Sequence, residues 1–286
     1  METPGARGAI LARMRSKLTC AALLLAACGS SAPPARREVA TEPGTAFAPR
    51  EGETFRFRRE VLRTRHGERN ETVLAGTWTA SQATPEGWQL ELAIDTARYT
   101  QGGEPIDELT AGPITITQRV DDHAVAIDPL ALPEGPRRAL GAEISRALTL
   151  APIGTAGLAL PSSIAPGDRL ETVATLGAPL DAPIAPRIPV RCVASGGGGD
   201  APVELSCSGS LDRDVELAPD LAARGMRAFV RGSLSIRAVL DRETGVALQC
   251  EHHIRHDVVE QLGRYEEHES ADVTVRTRLE PLPQDR

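Results

Sequence analysis

Val246-Ala247-Leu248-Gln249-Cys250-Glu251-His252-His253-Ile254-Arg255-His256-Asp257-Val258 can be laid on a helix or on a strand, and the choice decides the architecture. On a helix, His252 and His256 share a face at metal-ligand spacing. As a strand, the segment puts Val246, Leu248, Cys250, His252, Ile254, His256 and Val258 on one side, with mostly polar residues on the other. The alternation favours the strand. Residues four apart then stand about 13 Å from each other, too far for one ion. Cys250 and His252 alone could share a metal with a ligand from a neighbouring strand. The alternative is no metal, with two partly buried imidazoles facing inward and His253 outside.

The same period runs outward from this segment in both directions. Residues 230–240 join 246–259 through the turn-forming Asp241-Arg242-Glu243-Thr244-Gly245, and 271–279 alternates Val273 and Val275 with threonine and arginine. Residues 187–195 and 202–211 flank Gly196-Gly197-Gly198-Gly199-Asp200 as a hairpin. Near the start, Phe55, Phe57, Arg59 and Val61 fall on one side of 54–64, and 71–82 follows a turn at 65–70. After Pro85-Glu86-Gly87, Trp88, Leu90, Leu92 and Ile94 alternate with Gln89, Glu91, Ala93 and Asp95. A further hairpin is expected over 114–128, turning at Asp121-Asp122-His123.

One segment breaks the period of two. In 134–149, Leu140, Ile144, Ala147 and Leu148 share a helical face, which predicts a helix covering a sheet. Residues 169–175 then read as a short strand. The fold class expected from these periods is mainly β: an antiparallel meander with one central covering helix, which the second resemblance below turns into a curved, half-barrel-like sheet. The globular body is expected over 51–286, with two subdomains, 51–130 and 165–280, conceivable around the helix.

The N-terminus carries an address. Leu25-Ala26-Ala27-Cys28 closes an apolar stretch that begins at Leu18 and follows Arg13, Arg15 and Lys17. From Met14 to about Ser30 this resembles bacterial lipoprotein signal peptides, whose lipobox ends on the cysteine. The resemblance implies that 1–27 is removed between Ala27 and Cys28 and that Cys28 is acylated. Gly29 and Ser30, in place of an aspartate, imply the outer membrane rather than the inner one. An ordinary secretory signal or an uncleaved anchor are the alternatives, although the apolar core falls short of the roughly 20 residues that span a bilayer. Either Met1 or Met14 could be the start. Residues 28–50, rich in proline, alanine and small polar residues, read as the lipidated N-terminus and a flexible tether.

A second resemblance lies in the body. Gly167-Asp168 entering a strand, and Gly232-Ser233-Leu234-Ser235-Ile236 running into the 241–245 turn, are similar to uncharacterised β-rich envelope lipoproteins. This implies a sheet curved around or against a helix, as in envelope lipid-carrier half-barrels, and transfers no functional residue.

Composition narrows the chemistry. The leader holds Arg7, Arg13, Arg15 and Lys17 against Glu2, so the 259 residues from Cys28 onward carry 28 basic against 38 acidic residues, net −10. Nucleic acid is an unsuitable partner. Lys17 is the sole lysine, so the mature chain can form no lysine Schiff base and supply no phosphate-loop lysine. No cofactor is implied. With eight aromatic residues in all, membrane-barrel girdles and stacking platforms are poorly supplied. Ser206-Cys207-Ser208-Gly209-Ser210 lacks the spacing of a nucleophile elbow.

Cys192, Cys207 and Cys250 remain after processing, in an oxidising compartment. Cys192 and Cys207 sit on the two arms of the glycine-loop hairpin and are the preferred disulfide; either could instead pair with Cys250. The leading functional expectation is a membrane-tethered, non-enzymatic envelope lipoprotein that binds an apolar ligand or a protein partner. The alternatives are a structural or assembly-factor lipoprotein, and a hydrolase with an unrecognised site. A cavity on the apolar face favours ligand binding, and a filled core counts against it.

Overall fold

The structure is a computed structural model that describes residues 47–84, 87–109, 113–121, 138–149, 151–161, 163–175, 187–196, 201–215, 225–262 and 265–282. The signal segment with Ala27 and Cys28, most of the tether, residues 122–137 and the loop 197–200 lie outside them.

Eleven strands form one antiparallel sheet: β1 Thr54–Arg65, β2 Glu68–Thr84, β3 Gly87–Gln101, β4 Glu104–Glu108, β5 Ile114–Val120, β6 Arg169–Thr175, β7 Arg187–Gly196, β8 Val203–Val215, β9 Met226–Leu240, β10 Ala247–Leu262 and β11 Tyr265–Pro281. The order is β4-β3-β2-β1-β11-β10-β9-β8-β7-β6, with β5 also on β3, and the sheet does not close into a barrel. Among the described residues one helix, α1 Arg138–Thr149, interrupts the meander. The mainly β class, the antiparallel sheet and the single covering helix agree with the sequence.

The strands run longer than their alternation showed, because hairpins pair right up to their turns. His66 and Gly67, both at positive φ, reverse β1 into β2 within two residues. The segment that opened the analysis is a strand: Cys250, His252, Ile254 and His256 are buried, and Gln249, Arg255 and Asp257 are exposed. An irregularity between Ala247 and Gln249 shifts its register, so that adjacent Val246 and Ala247 are both buried. Of the expected 114–128 hairpin, the described residues reach only as far as Asp121. Its first arm, β5, pairs with β3, and the proposed turn and return arm fall outside the described residues. β4, short and acidic, gave no apolar period and was not anticipated.

One face of the sheet is apolar and covered. Leu140, Ile144, Ala147 and Leu148 of α1 are buried with Phe55, Phe57, Leu74, Trp78, Leu90, Leu92 and Ile94, forming a core beneath β1, β2 and β3. A second core lies beneath β6–β11 and includes Leu158 and Leu160. Phe47 is buried in the first core and the Ala48 amide donates to the Thr244 carbonyl, so packing begins ahead of Glu51.

The second half is strongly curled. A Cβ on Gly157 would lie 3.1 Å from the Thr175 carbonyl oxygen on β6 and 3.7 Å from His252 Nε2 on β10. These strands are four spacings apart in the sheet order, about 19 Å on a flat sheet. Both atoms reach one point because the sheet bends around it.

Candidate functional site

What the sheet bends around is residues 151–160, Ala-Pro-Ile-Gly-Thr-Ala-Gly-Leu-Ala-Leu, which leave α1 and cross the covered face. Nine of these ten residues are buried, although they form neither helix nor strand beyond one bridge between Leu158 and Ala174. A buried irregular segment must place its polar backbone groups elsewhere. Here side chains of the sheet receive them. Arg59 Nη1 donates to the carbonyls of Ala147, at 3.0 Å, and Ala151, at 2.6 Å. Trp78 Nε1 donates to the Ile153 carbonyl at 2.9 Å, and His252 Nε2 to the Ala156 carbonyl at 3.0 Å. Thr172 Oγ1 donates to the Ala159 carbonyl. At its far end the strap shields the β6 edge, where the Ala159 amide donates to Val173 and the Thr175 amide to Gly157.

Gly154 shows how tightly this strap is seated. Its φ is +83°, and a Cβ there would meet the Trp78 ring at 2.9 Å. Trp78 is itself fixed edge-on to Phe55, with ring centroids 5.3 Å apart.

Arg59 is the most unusual group in the site. It is fully buried, and its hydrogen-bond acceptors are the two carbonyls and the Thr277 hydroxyl, which Nε meets at 2.9 Å. No carboxylate is among those acceptors. The charge instead faces the C-terminal end of α1, where the helix dipole is negative. Burial pulls the guanidinium down to about 10, with the Cys250 thiol acting the other way, so it stays charged at neutral pH.

Cys250 and His252 adjoin this charge. Thr277, the partner of Arg59, is also the cross-strand neighbour of Cys250, and Cys250 Sγ lies 3.6 Å from His252 Nδ1. Since Nε2 carries the proton given to Ala156, Nδ1 accepts from the thiol. Burial pushes the thiol up to about 12 against the opposing pull of Arg59. It also brings His252 down to about 4, so both groups are neutral near pH 7. Cys250, His252 and His256 are the metal candidates of the sequence. The first two do meet, but their near neighbour is a cation rather than a third ligand, and His256 stands four residues further along the strand. Among the described residues no group of three metal-ligating side chains exists.

Cys192 and Cys207 face each other across β7 and β8, with Cα atoms 4.0 Å apart, and are joined by a disulfide; Cys250 is a buried free thiol. Cys28 and Ala27 lie outside the described residues.

A void of about 40 Å³ between α1 and β1, β2 and β11 has room for water alone. The larger depression, about 770 Å³, lies on the opposite, wet face. There Glu60, Arg276, Glu251, Arg237 and Ser206 stand in one cross-strand row from β1 to β8. Among the described residues no helix is long and apolar enough to cross a membrane.

The sequence placed Arg59 on the apolar side of its strand without assigning it a role, and it missed the strap. An arginine in register with Phe55, Phe57 and Val61 was the available signal. No protein-family profile and no curated protein matches this chain. A solved structure described as lipid-protein interactions in lipovitellin is similar over 83% of this chain and 26% of its own, at 13% identity and a TM-score of 0.46. The chain thus spans about a quarter of that protein's length.

Proposed function

We propose that this protein is a lipid-anchored envelope protein, tethered through Cys28 in the outer membrane, that binds an apolar ligand on the covered face of its sheet. One observation carries the reading: although a filled face counts against an open ligand site, what fills it here is a strap held as a ligand is held, through side-chain donors on backbone carbonyls and small apolar residues against the sheet. A filled face excludes a ligand while the strap stays in place, so binding requires the strap to be displaced. The four strap carbonyls that accept from side chains of the sheet are each exchangeable for the oxygen of an incoming molecule. The ligand-bound population is set by the difference between strap and ligand affinities for the same seat. No step of this function is chemical.

The test is binding of a fluorescent acyl probe to the processed chain, followed by the emission of Trp78. The account expects saturable binding with a red shift, because Trp78 loses the Ile153 carbonyl and gains water. Absence of saturable binding contradicts it. A second reading, docking of an envelope protein, is favoured by the charged row on the wet face. It predicts that Arg237→Glu abolishes a cross-linked partner while leaving probe binding intact.

A further inference from the structure

The seat beneath the strap is not uniformly apolar, and that specifies the head of its ligand. If residues 151–160 leave, Arg59 loses the Ala151 carbonyl, and any shift of the end of α1 removes the Ala147 carbonyl as well. Of the acceptors described for it, the Thr277 hydroxyl alone remains on the sheet. A guanidinium in an apolar surround without acceptors is among the costliest arrangements a protein can hold. A hydrocarbon would fill the vacated volume and leave that cost in place. An anionic oxygen head would remove it, because the Nη1 group now shared between the Ala147 and Ala151 carbonyls can give charge-assisted hydrogen bonds to a carboxylate or phosphate oxygen.

From Arg59 the apolar surface continues toward Ala156 and Leu158, the path the strap now takes, and ends at Ala174 and Ile188 on the curled side. His252 Nε2 stands along it as a second donor, suited to a carbonyl part-way down a chain. We infer that the ligand is an acyl chain bearing an anionic oxygen head, with the head on Arg59 and the chain in the channel now occupied by residues 151–160. This rests on the proposed binding function and adds its headgroup selectivity. A free fatty acid and an acidic phospholipid share this chemistry.

Oleate, oleyl alcohol and oleylamine have the same chain and differ in the head, so their affinities for the unaltered processed chain separate the two layers of the argument. Oleate is expected to bind at least about tenfold more tightly than the alcohol, the increment of a charge-assisted hydrogen bond over a neutral one, and the amine more weakly than either. Arg59→Gln should bring oleate down to the affinity of the alcohol. Equal binding of all three overturns the headgroup inference while leaving the apolar function standing. Binding of none overturns both. If Arg59→Gln does not fold, the headgroup series on the unaltered chain still decides. Vesicles of dioleoylphosphatidylglycerol provide the second arm: phospholipid carried off with the protein assigns the head to a phosphate, and capture of oleate alone assigns it to a carboxylate, either supporting the inference.

Discussion

Arg59 occupies a position in β1 that Phe55 and Phe57 mark as core, and its charge is balanced by carbonyls rather than by an acid. Replacing it with methionine keeps much of the volume and removes the donor. Two buried carbonyls are then left short of a partner, partly offset by the relieved desolvation of the charge. Arg59→Met is expected to destabilise the fold by about 2–4 kcal/mol, read from the urea midpoint. His252 makes the fold sensitive to acid. Its pKa of about 4 in the folded chain lies below the ordinary 6.5, so between those values the unfolded chain takes up a proton that the folded chain refuses. Stability therefore falls as pH drops from about 6.5 to about 4, by up to about 3 kcal/mol, and this group contributes no slope above that window. His252→Gln should flatten that part of the pH–stability curve; an unchanged slope would show that another group causes it. Arg59 was visible in the sequence as an oddity and His252 as an inward imidazole. Neither role was legible, because their partners are carbonyls 88 to 96 residues away in the chain, and carbonyls carry no sequence signature.

At the scale of elements, α1 and the strands other than β4 were legible because each buries one face with its own period: two in 88–95 and 246–256, three to four in Leu140, Ile144, Ala147 and Leu148. The strap was not. Ala-Pro-Ile-Gly-Thr-Ala-Gly-Leu-Ala-Leu is buried on all sides and follows no repeat, so periodicity has nothing to detect. Its fit is nonetheless exacting, which gives a prediction. Gly154→Ala adds a methyl against Trp78 at a backbone conformation that disfavours any side chain. The variant should lose about 1–3 kcal/mol of stability, yet bind oleate more tightly, because a weaker strap competes less well. A simple core defect would lower both. The β7–β8 hairpin offers an independent check. Cys192 to Cys207 closes a loop of 15 residues, worth roughly 3 kcal/mol in the chain-entropy account. Of the three cysteines of the body, none is expected to take an alkylating label in the unreduced folded chain and Cys250 alone once it is denatured; labels on Cys192 or Cys207 would mean that the bridge is not formed in solution.

For the molecule as a whole, an open antiparallel sheet with a wet face and a filled apolar face is a container whose contents are part of its own chain. Its curvature was expected only through resemblance. The physical cause, β6 drawn toward β10 around Gly157, depends on a segment the sequence left unread. Under the proposed function the tether matters because an amphiphile exchanged with a bilayer is met most often by a protein held at its surface. Cys28→Ser is expected to shift the protein from the membrane to the soluble fraction, with acyl binding by the body unchanged. The central claim, that the strap and the ligand share one seat, is tested most directly by pinning the strap. Leu158 and Ala174 are bridge partners, so Leu158→Cys with Ala174→Cys can be oxidised across the β6 edge, with the unaltered chain treated identically as control. Oleate binding should vanish in the oxidised variant and return on reduction. Equal binding by pinned and released protein would contradict the account.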